Sequence, residues 1–270
     1  MLFRSYITND FYQYLAIMKL FFRESGLGQP MIILHGLFGS SDNWFTLAKT
    51  FAETHHVYLI DQRNHGQSPH SEDFNYKILT EDLKDFIDEH HIIDPIIIGH
   101  SMGGKTAMNF AVKYSTSVQK LIVVDIVPKT YPVHHDQILE GMDSIPVDRL
   151  QTRIEADEIL SKYVPHPDVR QFLLKNLVRK GSNGFAWKLN LIAIDERIEE
   201  IGRGMEYEGT YTGPSLFIKG ARSDYFQEGD EALISNIFTH AKFISLDTSH
   251  WVQAEKPQQF AAAVLNFLNE

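Results

Sequence analysis

The chain has 270 residues, 43% of them hydrophobic, enough to bury a sizeable core in one α/β domain with an inserted subdomain. Its 35 acidic and 25 basic side chains give a formal net charge of −10, which argues against nucleic acid or a stable membrane anchor as partner. With no cysteine, disulfides, thiolate catalysis and Cys-type zinc sites are excluded.

At the N-terminus, MLFRSYITNDFYQYLAIMKLFF is interrupted by Arg4, Asn9, Asp10 and Gln13, so it does not read as a secretory signal. No stretch approaches the roughly 20 apolar residues that span a bilayer. The expectation is a soluble, cytoplasmic protein with residues 1–17 as an extension and the fold beginning near Met18. Residues 30–34 (PMIIL) predict a buried strand, and Trp44, Leu47, Ala48 and Phe51 a helix over 42–54. Next come a strand at 56–60 (HVYLI) and a helix face at Leu79, Leu83, Phe86 and Ile87. A strand at 94–99, a helix at 105–114 and a strand at 121–126 (LIVVDI) follow. Two further strands, at 215–218 and 243–246, each precede a helix. Continuous apolar strands alternating with helices predict an α/β fold, a mostly parallel sheet covered on both faces.

Residues 128–213 break the alternation. Ile138, Met142, Leu150, Ile154, Leu160, Phe172 and Leu177 supply apolar helical faces there, with no strong strand run. The expected organisation is a core of 18–127 and 214–270 with 128–213 as a helical cap over the carboxyl ends of the strands, where open sheets bind ligands.

Two motifs overlap in PIIIGHSMGGKT at 95–106. Gly99-His100-Ser101-Met102-Gly103 fits G-x-S-x-G, the nucleophile elbow. Gly99 to Thr106 also fits G-x-x-x-x-G-K-[ST], a phosphate-binding loop, with LIVVD at 121–125 as its metal-holding strand. The elbow needs an oxyanion loop before it, and an acid and a histidine after it. His35-Gly36-Leu37-Phe38-Gly39-Ser40 follows the first apolar strand, so the amides of Leu37 and Met102 are candidate oxyanion donors. His250, after the last strand, has the chain order of a general base for Ser101. Two carboxylates compete as its partner: Asp125, ending the strand beside the elbow strand, and Asp224, after a later strand but one residue beyond the commoner spacing. Residues 61–68 (DQRNHGQS) read as a hydrogen-bonded support in which Arg63 is structural. Phe38, His100, Tyr131 and Trp251 are candidate pocket residues, and Lys105 is expected on the helix after the elbow with its ammonium free or paired with a carboxylate.

Together HGLFGS (35–40), DQRNHGQS (61–68), GHSMGGKT (99–106), VVDIVP (123–128) and HWVQAEKP (250–257) resemble small capped bacterial esterases of the α/β-hydrolase superfamily, related to abhydrolase-domain lipases. The likeness covers residues 18–270. It implies an acid on the strand after the elbow, which favours Asp125, and it accounts for Lys105 as a family feature. The expected activity is hydrolysis of a small-molecule carboxylic ester through an acyl-enzyme on Ser101, with no metal or organic cofactor. Competing readings are a nucleotide hydrolase, another Ser-triad reaction (C–C hydrolysis, lyase or perhydrolase chemistry), and a non-catalytic binding protein on the same fold.

Overall fold

The computed structural model describes residues 18–132, 135–181 and 184–270; the expected extension at 1–17 lies outside them. The strands are β1 (Phe22–Ser25), β2 (Gln29–Leu34), β3 (His55–Ile60), β4 (Ile96–His100), β5 (Lys120–Val124), β8 (Tyr211–Gly220) and β9 (Phe238–Leu246), in the sheet order β1-β3-β2-β4-β5-β8-β9. All neighbours pair parallel except β1, which runs antiparallel to β3 at one edge. Its sequence FRES is only half-buried at best, so no apolar run announces it.

Alternation sends successive residues of the central strands to opposite faces. Ile32, Leu34 and Ile97 pack on one face with Leu83 and Phe86 of α2 (Tyr76–Glu89) and Phe110 of α3 (Met102–Lys113). Met31, Ile33, Ile96 and Ile98 pack on the other with Phe51 of α1 (Phe45–Phe51) and Phe260 and Val264 of α11 (Pro257–Leu268). Burial on both faces is why these strands carry almost no polar residue.

Between β5 and β8 the chain makes helices α4 (Asp136–Asp143), α5 (Arg153–Leu160), α6 (Pro167–Leu174), α7 (Leu191–Glu196) and α8 (Ile198–Gly202). A short hairpin of β6 (Leu177–Arg179) and β7 (Phe185–Trp187) interrupts them. Three-residue strands are too short for a periodicity to register. β8 starts at Tyr211, earlier than the apolar run at 215–218 indicates, because Gly213 and Pro214 break the pattern and the register shifts between Tyr211 and Pro214. Met142, Leu160, Leu173 and Ile194 of the insertion share a core with Phe38, Tyr76 and Met102 of the body. α9 (Asp230–Ile237) and α10 (Val252–Glu255) complete the fold. Among the described residues, no helix is long and apolar enough to cross a membrane.

The chain leaves β2 for β3 on one side and returns to β4 on the other. The loops after β2 and β4 therefore diverge at one crevice, the point where open α/β sheets bind ligands.

Candidate active site

Ser101 is the single residue between β4 and α3, at φ 52 and ψ −117. A residue with a Cβ rarely adopts this backbone, and it persists where the surroundings enforce it. Here Ser101 donates its N–H to the carbonyl of Val124 (3.1 Å) and accepts from the N–H of Lys105 (3.0 Å). The flanking glycines let strand and helix approach: a Cβ on Gly99 would lie 2.3 Å from the Gly103 oxygen, and one on Gly103 2.5 Å from the Leu34 oxygen. One residue between strand and helix leaves no loop to wrap a phosphate, so the segment does not have the shape of a nucleotide-binding loop.

Lys105 departs from both expectations. It is buried in α3, donating to the carbonyls of Gly202 (3.1 Å) and Arg203 at the end of α8, with its ammonium over the rings of Tyr76 and Tyr131. Among the described residues, no carboxylate is paired with it. Burial lowers its pKa from the ordinary 10.5 to about 7, while the two carbonyls and two ring faces favour the cation.

The loop after β2 runs alongside the serine: a Cβ on Gly36 would lie 3.1 Å from the Cβ of Ser101. Two buried histidines hold this loop. His35 Nε2 accepts the N–H of Gln62 (3.0 Å) and its Nδ1 contacts the Gly36 carbonyl (2.8 Å). His65 Nε2 accepts the N–H of Phe38 (3.2 Å) and its Nδ1 contacts the Arg63 carbonyl (2.9 Å). A backbone amide can only donate, so in both rings Nε2 is the acceptor and Nδ1 carries the proton. Burial keeps them neutral, lowering His35 to about 4 and His65 to about 3, the latter helped by neighbouring His35. Arg63 forks onto buried Asp82 (2.5 and 2.6 Å) and reaches the Asp73 carbonyl (3.0 Å), so it braces this loop from below. Leu37 and Met102 both border a cavity beside Ser101. Met102 opens α3, and the first amides of a helix have no partner within it.

Asp125 follows β5, is fully buried, and accepts from His250 Nδ1 (2.8 Å), from the N–H of Gly220 (2.8 Å) and from the hydroxyl of Ser223. Asp224 is exposed. Ser223, at the commoner acid position, reaches the Asp125 carboxylate from there. The His250 ring stacks on Tyr225, with centroids 4.1 Å apart at 18°, and lies 4.6 Å from the His100 ring on another side. A Cβ on Gly220 would meet the Ser249 oxygen at 2.2 Å, so that glycine lets the histidine loop come down onto β8.

Of the expected pocket residues, Tyr131 lines the cavity with Leu37, Met102, Lys105, Tyr225 and Ile201. The other three do not. Phe38 is buried and its carbonyl accepts from Asn176 Nδ2 (2.8 Å). His100 is buried and bonded through Nε2 to the His250 carbonyl (2.9 Å), which makes it a brace for the histidine loop. Trp251 packs beside Phe172 of α6. Tyr225 carries no signal in the sequence, since no motif marks a tyrosine that acts by its ring face.

A family model for the alpha/beta hydrolase fold matches residues 29–162. An sn-1-specific diacylglycerol lipase of Danio rerio is 38% identical over 256 residues, covering 92% of this chain and 80% of its own length. Esterase YbfF of Escherichia coli is 35% identical over 243 residues, covering 89% and 93%. The solved structure of a marine microorganism esterase superposes with a TM-score of 0.90 at 42% identity, over 93% of this chain and 99% of that one. With this fold, and relatives of that identity matched over most of their length, the chain belongs to the α/β-hydrolase family and is a hydrolase.

Proposed function

We propose that the chain is a serine esterase that cleaves a small-molecule carboxylic ester through an acyl-enzyme on Ser101, with His250 as base and Asp125 as its carboxylate. The observation that carries this reading is the buried Asp125 carboxylate 2.8 Å from His250 Nδ1. With Nδ1–H donated to the carboxylate, Nε2 is the nitrogen left to take the serine proton.

As Ser101 Oγ attacks the ester carbon, its proton passes to His250 Nε2 and the carbonyl π pair moves onto oxygen. The N–H groups of Leu37 and Met102 stabilise that oxyanion; one such donor is typically worth about 3 kcal/mol in the barrier. Collapse expels the alkoxide, which takes the proton from Nε2. Water then adds to the acyl-enzyme, giving its proton to His250, and the acid leaves as Ser101 is reprotonated. Asp125 holds the tautomer and balances the imidazolium throughout. The insertion serves as a cap: it brings Tyr131 and Ile201 to the cavity beside the serine, and its movement admits substrate.

Hydrolysis of p-nitrophenyl acetate and butyrate tests the reading. Ser101→Ala should lose about 10⁶ in turnover while keeping its circular dichroism. Near-wild-type hydrolysis by that variant would refute the proposal.

A further inference from the structure

The cavity beside Ser101 has a wall formed by Tyr76, Lys105, Tyr131, Ile201 and Gly202. Its volume is about 50 Å³. A single water needs about 10–15 Å³, so a short chain fills the space.

Which half of an ester would enter follows from the chemistry. The leaving alcohol must reach the histidine that protonates it. The lining includes Leu37 and Met102, the candidate oxyanion residues, but neither His250 nor Trp251. The cavity therefore faces the acyl side of the carbonyl.

That wall is fastened by hydrogen bonds to three consecutive carbonyls. Tyr76 OH donates to the Ile201 oxygen (2.8 Å), the Tyr131 N–H to the Gly202 oxygen (2.8 Å), and Lys105 Nζ to the oxygens of Gly202 (3.1 Å) and Arg203. Carbonyls at the end of a helix have no partner inside it, and buried ones must find one elsewhere. Lys105 supplies two of the bonds from α3, the helix that follows Ser101. It therefore draws the end of the insertion down onto the nucleophile's own helix. Its ammonium lies 5.3 Å from the Tyr76 ring and 4.9 Å from the Tyr131 ring, so cation and rings form one wall.

We infer that Lys105, clamping residues 201–203 between Tyr76 and Tyr131, sets the length of the acyl pocket, and that the substrates are esters of short acids, acetyl to about butyryl. This rests on the esterase reading above and adds the substrate class to it. Lys105 acts here as a specificity-determining residue through the segment it holds.

The test is kcat/KM for p-nitrophenyl acetate, butyrate, octanoate and laurate on the wild type, Lys105→Met, Lys105→Arg and Ile201→Ala, with fluorophosphonate labelling of each protein. The wild type should favour butyrate over octanoate by about 100-fold. Lys105→Met lacks the donors and should raise the octanoate-to-butyrate ratio at least tenfold. Lys105→Arg can still donate to both carbonyls and should keep the wild-type ratio. Ile201→Ala widens the same wall without touching the lysine, should raise the ratio as well, and decides the matter if Lys105→Met does not fold. A wild type that prefers octanoate, or a ratio unchanged in both Lys105→Met and Ile201→Ala, would overturn the inference while leaving the esterase reading intact. Absence of both labelling and turnover of every ester would instead sink the esterase reading, and the length inference with it.

Discussion

Replacing Asp125 by Asn changes one atom of a group that receives three donors. Oδ1 takes the backbone N–H of Gly220, and Oδ2 takes His250 Nδ1–H and the Ser223 hydroxyl. The amide group has two orientations. With Nδ2 towards Gly220, two N–H groups would face each other, and the backbone one cannot turn away. The amide therefore keeps its oxygen on Gly220 and presents Nδ2–H to His250. The Ser223 hydroxyl can rotate and accept. The imidazole can satisfy Nδ2–H only by accepting at Nδ1, which moves its proton to Nε2 and aims a donor at Ser101 where an acceptor is needed. The imidazolium also loses its counter-charge. Together these effects should lower turnover by about 10³–10⁴, or about 4–5.5 kcal/mol in the barrier. Burial of the Asp125 carboxylate itself predicts some loss of stability too, so the melting temperature is measured alongside, and hydrolysis of p-nitrophenyl acetate is followed well below it. Asp224→Asn, at an exposed site, is the control and should stay within about twofold of the wild type. Asp125→Asn within tenfold of the wild type, or a crippled Asp224→Asn, would refute the assignment of the acid.

Three further outcomes follow from the same geometry. Tyr225→Ala removes the ring stacked on His250 at 4.1 Å, and steady-state kinetics should show kcat falling about tenfold with KM little changed. Gly103→Ala would put a Cβ 2.5 and 2.6 Å from the oxygens of Leu34 and His35. That crowding should cost about 1–3 kcal/mol or more in urea unfolding, and most of the activity. Acid should destabilise the fold through His35 and His65, neutral when folded down to about 4 and 3 but titrating near 6.5 when unfolded. The unfolded chain then binds more protons as pH falls below 6.5, and stability drops by about 4 kcal/mol between pH 7.5 and 5 from these two residues alone. Urea unfolding at both pH values checks this, and equal stabilities would contradict it.

The glycines of GHSMGG are legible in sequence because backbone contact leaves room for nothing else at those positions. The order of Ser101, Asp125 and His250 along the chain is legible because a parallel sheet delivers its loops to one edge. The helical runs of the insertion are legible from their apolar spacing. What the insertion touches is not: the partners of Lys105 are carbonyls of Gly202 and Arg203, and a carbonyl carries no residue identity that a motif can record. Ser223 and Tyr225 escape for a similar reason, since each acts on a side chain far off in sequence by a hydroxyl or a ring face. Phe38 and His100 sit beside the site in sequence, but their positive-φ and strand-end backbones turn them into loop and core. The paired strands at 177–179 and 185–187 are each shorter than any window that would reveal them.

The whole proposed reaction turns on Ser101 as the nucleophile. Its most direct test is intact-mass spectrometry with peptide mapping after reaction with a fluorophosphonate, on the wild type and on Ser101→Ala. One adduct per chain is expected, on the peptide containing Ser101, with no adduct on the folded variant and loss of ester hydrolysis in step with labelling. An adduct on another residue, or an unlabelled Ser101 in an enzyme that still hydrolyses esters, would contradict it.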